Sequence, residues 1–230
     1  FDCILGWFAA EADKEIWCEK TPMHALHIAD IGAALPSSRF VHIIRDGRDC
    51  AASFRRRWGY NAKVTVHRWK HTIRIARQQA ESVGAGRYME VRFEELTASP
   101  EEVFGDICKF LDIEFEARIL ESSRTSARMR GIDSKQLKPN SGSYKSLFSP
   151  RQIDDLEELA GAALAELGYM VQNDAGDRDL SSFYVGLQNV VTRFGRMGDI
   201  YQRARSSGKP WKLIVGRIRS GLGHIRSNRY

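Results

Sequence analysis

The run from Arg39 to Ser53, RFVHIIRDGRDCAAS, constrains this chain more than any other, because it ends an apolar strand on an arginine and sets a serine eight positions later. Val41, Ile43 and Ile44 give the β-branched bulk of a buried strand, and Asp46-Gly47 is a turn signal in which Asp46 suits the N-cap of a following helix. Strand, turn and helix would then carry Arg45 and Ser53 to one spot at a helix N-terminus. Unpaired backbone N–H groups, the positive end of the helix dipole and a guanidinium able to give two charge-assisted bonds make such a spot attractive to a phosphate. The same letters also suit an exposed Arg–Asp network after an ordinary strand, which contributes little to stability. On the run alone both readings stand.

The rest of the chain alternates strand and helix signals. Glu15 to Glu19 reads as a short strand before Lys20-Thr21-Pro22, and His24 to Ala34 has helical apolar spacing until Pro36 stops it. From Val64 to about Val83, the residues Val66, Trp69, Ile73, Ala76 and Ala80 fall on one helical face that ends at Gly84-Ala-Gly86. Arg87 to Phe93 reads as a further strand. Ser99-Pro100 with Glu102, and Ser149-Pro150 with Gln152, each predict a capping box with proline at the first helical position. The first of these helices would bury Val103, Ile107, Phe110 and Leu111; the second would bury Ile153, Leu156, Ala160, Ala163, Leu164 and Leu167, closed by Gly168. Strands separated by helices predict a parallel sheet with helices packed on its faces, an α/β fold. Trp17, Trp69 and Phe110 are expected to fill the core, and His24 and His42 to be structural.

At 230 residues and 43% apolar content the chain can bury one sizeable core and an appendage. Its cysteines, Cys3, Cys18, Cys50 and Cys108, have neither CxxC nor Cys/His ligand spacing, so no disulfide framework and no metal site is expected, and a reducing compartment, the cytoplasm, is the simpler reading. No apolar run approaches the roughly 20 residues of a membrane-spanning helix, and the opening FDCILGWFAAEAD has no basic leader. Residues 176–230 hold eleven Lys/Arg against three Asp, a surplus of eight that leaves residues 1–175 at minus two within the total of +6. The basic character lies in the tail and not in a nucleic-acid-binding core.

Five pieces in order resemble the sulfotransferases that use 3′-phosphoadenosine 5′-phosphosulfate. They are Lys20-Thr21-Pro22, the Arg39 to Ser53 run, Val91-Arg92-Phe93-Glu94-Glu95-Leu96 before Pro100, the Phe110-Leu111 pair, and Ser141-Gly142-Ser143-Tyr144-Lys145 before the capped helix. The resemblance covers roughly residues 15–170 and implies a P-loop-type three-layer α/β fold with a central parallel sheet. It implies that Arg45 and Ser53 hold the donor's 3′-phosphate, and that Lys20 steadies charge on the bridging oxygen as the sulfuryl group leaves. Phe93 stands where cytosolic members have a tyrosine beside the adenine, so apolar contact is implied without the hydroxyl. Lys138 is the cation nearest to the arginine position of the loop over the 3′-phosphate, a position that Leu137 occupies here.

Two departures qualify the resemblance. Pro22 stands where cytosolic members carry a histidine base, which points to members whose base is a glutamate after the P-loop, among them carbohydrate- and tyrosine-modifying ones. The phosphosulfate loop of the type Gly-x-x-Arg-Ser-Gly-Thr has no match in the 230 residues, so residues 1–175 are expected to be a sulfotransferase-like domain lacking its first strand and P-loop, a fragment inactive by itself. The implied reaction is sulfuryl transfer from 3′-phosphoadenosine 5′-phosphosulfate to a hydroxyl or amine, the acceptor expected to be a carbohydrate or other small polar molecule. The alternative is a non-catalytic module that binds a nucleotide, a membrane surface or a partner. The tail 176–230 is expected to be a basic amphipathic helical extension able to meet a membrane surface or partner: Phe183, Leu187, Val190, Val191, Phe194, Met197 and Tyr201 share a helical face, and a second stripe from Trp211 to Ile225 is flanked by arginines. The main reading of these stretches is that both helices cover the sheet or the acceptor cleft, because Gly216, Gly221 and Gly223 weaken the second helix.

Overall fold

The computed structural model describes residues 2–118, 120, 141–172 and 176–192. Two strands, β1 (Phe40–Ile44) and β2 (Tyr88–Arg92), pair in parallel with Phe40 opposite Tyr88 and Ile44 opposite Arg92. Parallel neighbours need a long crossover, and the chain supplies it as two helices, α3 (Gly47–Trp58) and α4 (Ala62–Val83). Helix α1 (Asp2–Glu11) and α2 (Ile28–Ala34) precede β1; α5 (Phe93–Ala98) and α6 (Pro100–Leu111) follow β2, and α7 (Pro150–Glu166) comes after a short 3-10 turn at Ser143–Ser146. Residues 182–192 are helical, here α8.

Local chemistry explains most of these boundaries. The Asp46 side chain accepts from the N–H of Arg48 to start α3, and Gly59, at φ +67, ends it with its N–H on the carbonyl of Arg55. Asn61 caps α4 through Val64. Ser149 and Gln152 form the reciprocal box at the start of α7. The core lies between α3, α4 and α7, where Ala51, Ala52, Val66, Ile153, Leu156 and Ala160 meet Tyr144 and Phe148, with Trp69 at the edge. Alanines at the contact let the helices approach closely.

The structure corrects several sequence expectations. Glu15 to Glu19 is not a strand: no described strand lies beside it to complete a ladder. The helix expected over His24 to Ala34 is broken into a 3-10 turn, Pro22–Leu26, and α2, with His27 non-helical between them. Gln79 bridges that break by donating to the Leu26 carbonyl and accepting from Ala29 N–H, which replaces the backbone bonds a continuous helix would make. Ser99 does not cap α6 with its side chain, because it also terminates α5 through its N–H on the Glu95 carbonyl and sits at φ −131, ψ 63. Phe93 opens α5 and does not end β2. Ile43 is 52% exposed and Trp17 is half-buried with its indole on Asp2, so neither is core. Lys138, and the tail beyond residue 192, lie outside the described residues.

Candidate functional site

Arg45 and Phe93 each stand one residue beyond the last paired position of β1 and β2, so the parallel register sets them side by side at the carboxyl ends of two neighbouring strands. The guanidinium of Arg45 lies 4.8 Å over the Phe93 ring. Such a contact orients the cation without neutralising it.

Two hydrogen bonds hold the backbone of this corner. Trp69 Nε1 on α4 donates to the Arg45 carbonyl at 2.9 Å. The Asp46 N–H donates to Glu94 Oε1 at 3.0 Å, and the other oxygen of Glu94 accepts from Tyr169 at 3.0 Å. A side chain on Gly47 would meet the Trp69 ring at 2.7 Å, so only glycine lets the indole reach across. Cys50 is shut in by the same packing, and burial pushes its thiol up to about 12, away from nucleophilic use.

Beneath the corner runs a buried ionic chain. Arg48 folds back on Asp46 with Nη2 to Oδ2 at 2.7 Å, meets Glu157 of α7 at 2.5 Å and donates to the Met170 carbonyl at 2.9 Å. The first free N–H of α3 is therefore taken by the chain's own carboxylate. One N–H group that the sequence left open to an anion is thus capped within the chain, and half-buried Arg45 lies over Phe93. Ser53 is half-buried and six residues along α3 from Gly47, a rise of about 9 Å.

Asp49, fully buried in the first turn of α3, ties down the segment after residue 140. It accepts from Gly142 N–H (2.8 Å), the Ser143 hydroxyl (2.8 Å) and Tyr144 N–H (2.9 Å), and Arg56 two turns on donates to the same hydroxyl at 3.1 Å. The Ser141 to Lys145 loop is thus fastened to the helix that carries Ser53. Sequence reading missed Asp49, Glu94 and Glu157; the one available signal was an aspartate three residues after an N-cap, opposite a Ser-Gly turn.

Lys20 is exposed on the approach to the Pro22–Leu26 turn. Its neighbours are fixed by Glu19, which accepts from the Thr21 hydroxyl at 2.6 Å and pairs with His24 Nδ1 at 2.7 Å. That pairing gives His24 a structural role in shaping the lysine's turn. His42 is also in a structural relay, 2.7 Å from the Tyr88 hydroxyl, which in turn donates to Glu90.

A second cluster lies on the outer face of α4, where His67, His71 and Asp179 place their ligand atoms within 4.8 Å of one another. Fully buried Lys70 puts its ammonium 2.7 Å from the same Asp179 oxygen and 2.8 Å from Asp177. The chain supplies its own cation there, and the cluster straps residues 177–180 to α4.

Comparison with known proteins bears on what this corner is for. The family model described as the sulfotransferase family matches residues 2–117, half of the chain. The chain belongs to the sulfotransferase family. The matched span contains Lys20, Arg45, Asp49, Ser53 and Phe93. Among relatives, the protein-tyrosine sulfotransferase of Drosophila melanogaster is 26% identical over 156 residues, which cover 63% of this chain and 30% of that protein. A putative protein-tyrosine sulfotransferase of Caenorhabditis briggsae is 27% identical over 176 residues, 70% of this chain and 62% of that protein. Protein-tyrosine sulfotransferase 2 of Gallus gallus is 23% identical over 175 residues, 66% and 46%. The chain thus spans less than two thirds of each of these sulfotransferases. The sulfotransferase domain from the curacin biosynthetic pathway superposes with a TM-score of 0.56 at 19% identity, covering 74% of this chain and 68% of that one, so the α/β fold with its parallel sheet is a sulfotransferase fold.

Proposed function

We propose that this chain is the nucleotide-holding part of a sulfotransferase that moves the sulfuryl group of 3′-phosphoadenosine 5′-phosphosulfate onto a tyrosine hydroxyl of a polypeptide. The observation that carries this reading is the Arg45–Phe93 pair, a guanidinium over a ring at the carboxyl ends of adjacent parallel strands. That is where α/β sheets bind their ligands, and a cation beside an apolar ring suits a phosphate joined to a purine nucleoside. In this reading Arg45 and Ser53 hold the 3′-phosphate, Phe93 packs against the adenine, Lys138 adds a charge, and Lys20 donates to the bridging oxygen. The acceptor oxygen bonds to sulfur as the bond from sulfur to the 5′-phosphate oxygen breaks, and the acceptor's proton departs to a base. The protein's part is to position the partners and stabilise charge on the leaving oxygen.

The proposed acceptor differs from the glycan or small polar molecule expected from the sequence, because the relatives are protein-tyrosine sulfotransferases. A second reading, a binding module without transfer, draws on α8, whose Phe183, Leu187, Val190 and Val191 are exposed while Tyr184 and Gln188 meet Asn61. The two are separated by offering labelled donor, together with a tyrosyl peptide and an oligosaccharide, to the full-length native protein that carries this chain. Label on the tyrosine oxygen is the expected result of the first reading, label on the oligosaccharide overturns its acceptor, and donor binding with transfer to neither supports the module.

A further inference from the structure

Asp49 has a carboxylate that is wholly buried and accepts from three neutral donors on consecutive residues of one turn. Gly142 is in the left-handed region at φ +78 and Tyr144 follows in a helical turn, so their N–H groups converge as a nest, the backbone concavity that binds anions. Here the chain fills the nest with its own carboxylate. Placement in the first turn of α3 lowers the cost of that buried charge, since the dipole end there is positive.

Helical spacing then decides what lies under the turn. Asp49 and Arg56, seven residues apart, fall on one face of α3, and both hold Ser143. Ser53 lies between them, four residues after Asp49 and three before Arg56, on the same side of the helix. A turn fastened at both of those points passes beside Ser53.

We propose that Asp49 is a positioning residue for the 3′-phosphate subsite: it fixes the turn that starts at Ser141 against α3, so that the turn and Ser53 face the phosphate in one geometry. The role rests on the nucleotide reading given above. Asp49 does not itself touch the phosphate, which its charge would repel and from which its three hydrogen bonds turn it away. The turn offers a ligand its side chains, because its N–H groups at 142 and 144 are already engaged. An asparagine fits the same space but turns an NH2 toward one of those N–H donors, which pushes the turn off the helix.

The test is calorimetric titration of the whole chain with 3′-phosphoadenosine 5′-phosphate and, separately, adenosine 5′-phosphate, for wild type, Asp49→Asn and Ser143→Ala. Wild type is expected to prefer the 3′-phosphorylated nucleotide. Asp49→Asn is expected to lose most of that preference, about 10²-fold, while its affinity for adenosine 5′-phosphate stays within about twofold, the signature of one misplaced subsite. Ser143→Ala keeps both backbone donors and is expected to lose about threefold to tenfold by the same argument. A folded Asp49→Asn or Ser143→Ala protein that keeps the full preference, or that loses affinity for both nucleotides alike, overturns the proposal. A wild type that shows no preference overturns the nucleotide reading itself and this role with it.

Discussion

At the scale of single residues, burial sets which charges the fold can tolerate. His42 and His67 are both held below the ordinary histidine range, in each case mainly because burial penalises the imidazolium; Glu90 opposes that at His42, and Asp179 opposes it at His67. A depressed histidine means that the unfolded chain takes up its proton first, so stability falls as pH drops below about 6.5 and stops falling once the folded value is passed. Asp177 behaves in the other window: its hydrogen bonds from Arg74 and then Lys70 pull its carboxyl down to about 2, so its contribution is present above about 3.9 and is lost as pH falls from there toward 2. Thermal melts are expected to show a decline between pH 7 and 5.5 that His42→Gln makes shallower, and a second decline below pH 4 that Asp177→Asn makes shallower. A profile unchanged by both substitutions would contradict these assignments. The residues that shape the site, Asp49, Glu94 and Trp69, work through such buried partnerships and not through exposed charge.

At the scale of elements, the two serine-proline helix starts make a direct comparison. Ser149→Ala removes a complete capping box and is expected to destabilise by about 1 kcal/mol, whereas Ser99→Ala, whose side chain caps nothing, is expected to stay within about 0.5 kcal/mol. Chemical denaturation of the two variants measures this, and equal losses would mean that the caps do not differ. Both starts look alike in sequence, and the difference comes from α5 ending where α6 begins. The same logic marks the limits of what the residues disclose. The strands at 40–44 and 88–92, the Asp46 cap and the long α4 were readable because β-branched runs, turn residues and helical periodicity act locally. The break at His27 was not readable, because the bonds that permit it come from Gln79, more than fifty residues away from Leu26. Arg45 and Phe93 could each be named from the resemblance, but their contact follows from a strand register that only the fold supplies.

At the scale of the whole molecule, one parallel strand pair, the α3–α4 crossover and α7 build a corner whose backbone is held by Trp69 and Glu94, with the Arg45 side chain over Phe93 and Asp49 fastening the turn at Gly142 to Tyr144. A fixed backbone beside a guanidinium is what a pre-organised phosphate site needs. The chain belongs to the sulfotransferase family, and its α/β fold is that of a solved sulfotransferase domain. In the proposed function this corner holds a nucleotide by its 3′-phosphate through Arg45. Isothermal titration of wild type and Arg45→Ala with 3′-phosphoadenosine 5′-phosphate measures it most directly. Binding with a dissociation constant on the order of micromolar, weakened by about 10²-fold or more in a folded Arg45→Ala protein, is the predicted result. Equal affinity in the two proteins, or none in wild type, would contradict it.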